Sequence, residues 1–187
     1  MKAQIEEAIE ILKKGGIILY PTDTIWGLGC DATNEEAVEK IYKIKQRSDS
    51  KSLITLASDL DMICRYVKVL PEMAIQLVEV TDTPLTIIYP EVSGLAQNVI
   101  AEDKTAGIRI PQNDFCIQLI KKFRKPIVST SANISGETAP ITLAEIKEEI
   151  KAAVDWIAKP NLEGKATHKA SSIIKVGVEN EIEIIRK

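Results

Sequence analysis

Histidine is nearly absent from these 187 residues: only His168 stands in the chain, among lysines in "KATHKASS". A lone imidazole gives no pair of metal-ligating histidines, and its setting reads as a solvated loop. The three cysteines, Cys30, Cys64 and Cys116, are odd in number and far apart, so they offer neither a disulfide framework nor zinc-ligand spacing. They read as reduced thiols of a cytoplasmic protein. Basic residues are in no excess, with 24 Lys and Arg against 27 Asp and Glu and a net charge of −3. The surface as a whole is therefore not built for nucleic acid, and any anion site must be local. Aromatics are 4% of the chain, with no basic-aromatic stripe. No apolar run approaches the roughly 18 residues of a membrane span, and the first residues, "MKAQIEE", turn acidic without a signal-peptide core. A G-x-S-x-G elbow and a Walker A loop are both missing.

What is present is an ordinary soluble composition, 45% apolar and 27% charged, over a length that suits one domain, residues 1–187. Ile5, Ala8, Ile9 and Leu12 predict a helix over 3–14, ended by Gly15-Gly16, and 17–21 a strand. Thr33-x-x-Glu36 reads as a capping box opening a second helix. Strands are expected at 52–57, 85–90, 106–111 and 126–130, a short helix from Ser58, and helices at 71–79 and 113–124. Thr142-x-x-Glu145 predicts a helix to about 151, and the tail further strands. Helices and strands alternate irregularly, which implies an α/β domain with a mixed sheet.

Three polar clusters fall at strand ends. "PTDTIWGLG" (21–29) places two threonines, an aspartate and two glycines after an apolar run. Turn chemistry alone accounts for part of it. Gly27-x-Gly29-x-x-Ala32 formally matches a dinucleotide fingerprint, yet Asp49 precedes its strand instead of ending one, which excludes a nicotinamide site. "KIKQRSDSK" supplies Lys45, Arg47 and Lys51. Such cations complement a helix C-terminus and equally form a fork for a polyphosphate. "VSTSANISG" (128–136) gathers Ser129, Thr130, Ser131, Asn133 and Ser135 where a strand ends, a ligand-edge pattern of open α/β sheets. Arg109, inside an apolar strand, calls for a partner. Hydroxyls, an amide, lysine and arginine orient substrates and stabilise charge; they form no covalent nucleophile system.

In order and spacing, "PTDTIWGLG", "KQR" ahead of "SLITLAS", "TAGIRIP" and "STSANISG" resemble the YrdC/Sua5 family of threonylcarbamoyl-AMP synthases, from about residue 5 to the end. The resemblance implies a twisted mixed β-sheet with flanking helices and an open concave cavity. It implies condensation of L-threonine, bicarbonate or CO2 and ATP into threonylcarbamoyl-adenylate and pyrophosphate. The product would supply the tRNA threonylcarbamoyltransferase machinery. ATP would arrive with Mg²⁺, no protein-bound structural metal is expected, and RNA contact would be weak. By position, the resemblance makes Thr22, Thr24, Arg109, Ser129 and Ser171 threonine contacts. It makes Lys45, Arg47, Lys51, Thr105, Ser131, Asn133 and Arg186 nucleotide contacts, with Lys45, Arg47, Ser131 and Asn133 central to catalysis. Lys51, Leu56 and Ala139 depart from an asparagine, a histidine and a serine common in relatives, and the chain matches the short form without a C-terminal domain. A double-stranded RNA or tRNA binder without turnover is the rival, and a hydrogenase-maturation carbamoyl transferase a second.

Overall fold

The computed structural model describes residues 1–46 and 53–187. Helix α1 (Lys2–Lys13) buries Gln4, Ile5, Ala8, Ile9 and Leu12, the stripe that its spacing predicts. Strand β1 (Ile18–Pro21) follows, and then β2 (Trp26–Gly29), which pairs antiparallel with it. Residues 20–29 are thus a hairpin, not only a strand-end turn. Helix α2 (Glu35–Ile44) opens on Asn34, whose Oδ1 accepts the Ala37 N–H at 3.0 Å. The expected cap, Thr33, instead donates its hydroxyl to Asp31 Oδ1 at 2.6 Å, so the box fails because its oxygen is already engaged.

Strand β3 (Ile54–Leu56) leads to α3 (Leu60–Ile63), then α4 (Glu72–Val80), β4 (Leu85–Tyr89), β5 (Ala106–Arg109), α5 (Asp114–Phe123) and β6 (Ile127–Ser131). The helix expected from 142 to about 151 is broken. A single 3-10 turn over 143–145 closes as the Glu145 carboxylate accepts the Ile141 N–H and the Thr142 hydroxyl, and Ile146 then extends into the core, 2% exposed. Helix α6 (Glu148–Ala152) starts afresh, followed by β7 (Trp156–Ile157), β8 (Ser172–Val176) and β9 (Ile182–Arg186).

These strands form one sheet in the order β7-β1-β2-β6-β3-β5-β4-β8-β9, with β1/β7, β3/β5 and β4/β8 parallel and the rest antiparallel. Helices α1 and α5 pack on each other, and Phe115 stacks on Trp156 with ring centroids 6.4 Å apart. Asp155 locks β7 beside β1 by accepting the Ile17 N–H at 2.7 Å. Among the described residues no helix is long and apolar enough to cross a membrane.

Losing the α2 cap leaves an N–H of the first turn unpaired. Asn34→Ala is therefore expected to cost about 1 kcal/mol, read as a lower urea midpoint at unchanged slope.

Candidate active site

Side chains alternate across a strand, so register assigns each residue to a face. Ile88 pairs with Gly107 and Ile54 with Ser129. Extending the β3/β5 register by one residue sets Gly107 beside Ile54, so all four share a face. Thr86 and Ile173 join them through the β4/β8 register. At Gly107 a Cβ would press on the Thr86 methyl at 3.3 Å, so glycine keeps this floor low. A cavity of about 100 Å³ opens there, lined by Ile54, Thr86, Ile88, Thr105, Gly107 and Ile173, among others.

At one border of this face lies the turn joining β1 to β2. Thr22 Oγ1 donates to the Ile25 carbonyl at 2.8 Å and accepts the N–H groups of Thr24 and Ile25. The Thr22 and Thr24 hydroxyls lie 2.8 Å apart, a contact in which either can donate. Thr22 is the brace of the turn. Arg109 Nη1 lies 2.7 Å from both carboxylate oxygens of Asp23, and Nη2 3.4 Å from Thr24 Oγ1. Asp23 also accepts the Gln112 N–H at 3.1 Å, and both members of the pair are buried. The pairing joins the end of β5 to the β1–β2 turn, although β6 and β3 separate β5 from that hairpin in the sheet. Cys116 of α5 closes this end, its thiol donating to Pro21 O at 3.4 Å. Burial pushes the Cys116 thiol upward, as it does Cys30, so both remain protonated and inert.

Ser131 and Asn133 end β6 at another border. Lys45, at the C-terminus of α2, is buried, and its Nζ donates to the Ser131 and Asn133 carbonyls at 2.6 and 2.8 Å. Asn133 Nδ2 donates to Ile134 O and Glu137 O, while its Oδ1 is buried with no partner among the described residues.

The third border unites the late residues. Ser171 shares a 2.7 Å hydroxyl contact with Thr86, and its carbonyl accepts both Nε and Nη2 of Arg186 at 2.9 and 2.7 Å. Partial burial lowers the Arg186 guanidinium from its ordinary value. Thr105 Oγ1 donates to Asp103 at 2.6 Å, and Lys175 meets the same carboxylate at 2.9 Å. The Thr105 hydroxyl first, then Lys175, lower the Asp103 carboxyl to about 2.

Structure thus brings Thr22, Thr24 and Arg109 together, sets Lys45 against Ser131 and Asn133, and joins Ser171 to Arg186, with Ser129 and Thr105 on the face between. Arg47 and Lys51 lie outside the described residues. The residue that sequence reasoning passed over is Asp23, the partner that a strand-interior arginine demands. Its signal was its place between two site threonines. Leu56 is fully buried.

This arrangement fits an α/β site that holds anions and hydroxyl-bearing ligands by position. A family model described as Telomere recombination, spanning the Sua5, YciO and YrdC proteins, matches residues 10–187, and the chain belongs to that family. It is similar to the threonylcarbamoyl-AMP synthase of Vibrio vulnificus, 31% identical over 160 residues, covering 84% of this chain and 86% of that one. Sua5 of P. abyssi, solved in complex with L-threonine, superposes with a TM-score of 0.86 at 26% identity over 94% of this chain. This chain covers 52% of that one, so it spans about half the length of that relative. YciO of E. coli superposes with a TM-score of 0.83 at 26% identity, over 100% of this chain and 90% of that one.

Removing one member of a buried ion pair strands the other. Asp23→Ala is expected to lose about 3–5 kcal/mol, and Asp23→Ala combined with Arg109→Met to recover much of it, measured by urea unfolding. The Asp103 carboxyl is depressed, so its contribution is present above about 4, the ordinary aspartate range, and is lost as pH falls through about 2. The Thr105 amide shift should titrate with that lower midpoint, and Asp103→Asn should abolish the transition.

Proposed function

We propose that this chain is a threonylcarbamoyl-AMP synthase, joining L-threonine, bicarbonate or CO2 and ATP into threonylcarbamoyl-adenylate with release of pyrophosphate. The observation that carries the reading is the buried Asp23–Arg109–Thr24 arrangement at the edge of an open sheet face. Asp23 occupies Nη1, and the rest of the guanidinium suits the carboxylate of an amino acid. The Thr24 hydroxyl beside it suits the polar groups of the same amino acid. Ser129, Ser171 and Thr22 complete the wall for a side chain with one hydroxyl and one methyl. Family membership, the names of the relatives and the threonine complex of the P. abyssi protein support it.

The chemistry asks for placement. The threonine amine adds to CO2 and loses a proton, giving a carbamate. A carbamate oxygen then attacks the α-phosphorus of ATP, the bond to the β-phosphate oxygen breaks, and pyrophosphate leaves. Two anions must approach in line, which requires fixed cations and donors and no enzymic nucleophile. Ser131, Asn133, Thr105 and Arg186, with Arg47 and Lys51, form the nucleotide side in this reading, and Lys45 supports Ser131 and Asn133 through their carbonyls. Mg²⁺ enters as the counterion of the polyphosphate substrate. The mixed anhydride product must pass quickly to an acceptor, which in this reading is the transferase that modifies tRNA in the cytoplasm. The names of the relatives do not favour an RNA-binding module without turnover.

Pyrophosphate release should require threonine and bicarbonate together with ATP and Mg²⁺. Release without either, or none with all four, overturns the reading. Arg109→Gln, which keeps a donor toward Asp23, should raise the threonine KM about tenfold or more while the ATP KM holds, as expected for loss of a charge-assisted hydrogen bond. An unchanged threonine KM would move the carboxylate grip elsewhere.

A further inference from the structure

A lysine that holds phosphates needs its ammonium at the ligand. Lys45 is only 3% exposed, and its Nζ points at main chain, 2.6 Å from Ser131 O and 2.8 Å from Asn133 O. The clasp is reciprocal, because Lys45 O accepts the Ser135 N–H at 3.0 Å. Burying an ammonium is costly unless acceptors replace its water. Two carbonyls one residue apart in the chain are such acceptors, and a single cation can draw both to one side. The loop beyond is tied from within as well, since Asn133 Nδ2 donates to Ile134 O at 3.1 Å and Glu137 O at 2.6 Å. Of the two atoms of the Asn133 amide only the nitrogen can donate to carbonyls, so its orientation is fixed. At the end of β6 this leaves the half-buried Ser131 hydroxyl and Asn133 Oδ1, which has no partner among the described residues, with Ser135 exposed beyond them.

We infer that Lys45 is a positioning residue: it clasps the end of β6 from behind and thereby aims Ser131 and Asn133 at the nucleotide, without itself holding a phosphate. The inference rests on the reading of this loop as the nucleotide side of the site. It separates two roles that sequence spacing leaves merged. A phosphate ligand contributes more as the phosphate count rises, whereas a loop clasp affects every nucleotide that the loop touches. A clasp also has a geometric demand that charge alone does not meet. The longer, planar guanidinium of arginine cannot take the place of a compact ammonium between two carbonyls.

The test is calorimetric titration of adenosine, AMP and ATP into the wild type, Lys45→Met and Lys45→Arg, with amide hydrogen exchange on each protein. Lys45→Met should weaken AMP and ATP by the same factor, about tenfold or more, as loss of an orienting partner does elsewhere. Exchange over 131–137 should accelerate while α1 and α5 stay protected. Lys45→Arg should not rescue either readout. Loss of ATP affinity with AMP binding unchanged, or full rescue by arginine, would overturn the inference. If the wild type binds no nucleotide, the reading of the site fails by itself. The clasp is then judged on exchange alone, and unchanged protection over 131–137 in Lys45→Met overturns it.

Discussion

The buried pairing of Arg109 with Asp23 is the constraint around which the rest of the molecule is arranged. A guanidinium and a carboxylate, 3% and 5% exposed, sit together where neither could stand alone. Their contact makes the end of β5 meet the β1–β2 turn across the two intervening strands, β6 and β3. That contact ties two parts of the sheet together beside the face on which the cavity opens. It also divides the arginine in two. Nη1 is committed to structure by both Asp23 oxygens, and the other edge stays beside Thr24. One residue thereby holds the architecture and, in the proposed function, the ligand as well.

The same division recurs around that face. Thr22 spends its hydroxyl bracing the turn, and the neighbouring Thr24 hydroxyl stands beside Arg109. Asn133 commits its nitrogen to the loop and keeps its oxygen. Ser171 gives its carbonyl to Arg186 and shares its hydroxyl with Thr86. At each border one polar group is fixed internally so that a neighbour is aimed. Preorganisation of this kind suits a reaction whose barrier lies in bringing two anions into line. The hidden thiols of Cys30 and Cys116, raised by burial, agree with a site that has no covalent step.

Much of this was legible in the sequence, and for a physical reason. Periodicity located α1, α5 and the main strands because burial on one face leaves a repeating apolar mark. Strand-end clusters of hydroxyls located Thr22, Thr24, Ser129, Ser131 and Asn133. Hidden from sequence were relations between distant residues that no local pattern encodes. Arg109 announced that it needed a partner, but Asp23 stands 86 residues away. Strand β2 escaped notice because "WGLG" reads as turn chemistry until its pairing with β1 is seen, where a side chain on Gly29 would strike Tyr20 at 2.6 Å. The α2 cap shifted by one residue because Asp31 already held the Thr33 hydroxyl.

Lys45 carries that lesson to the chemistry itself. In the sequence it is one of several cations at a helix end, and charge alone suggests a grip on phosphate. In the fold its ammonium donates to two main-chain carbonyls, whose oxygens carry the sign of charge that a phosphate repels. In the role inferred above, such a cation takes two carbonyl dipoles out of an anion's path. The electrostatics of the site therefore follow from where each buried charge is satisfied as much as from how many charges there are.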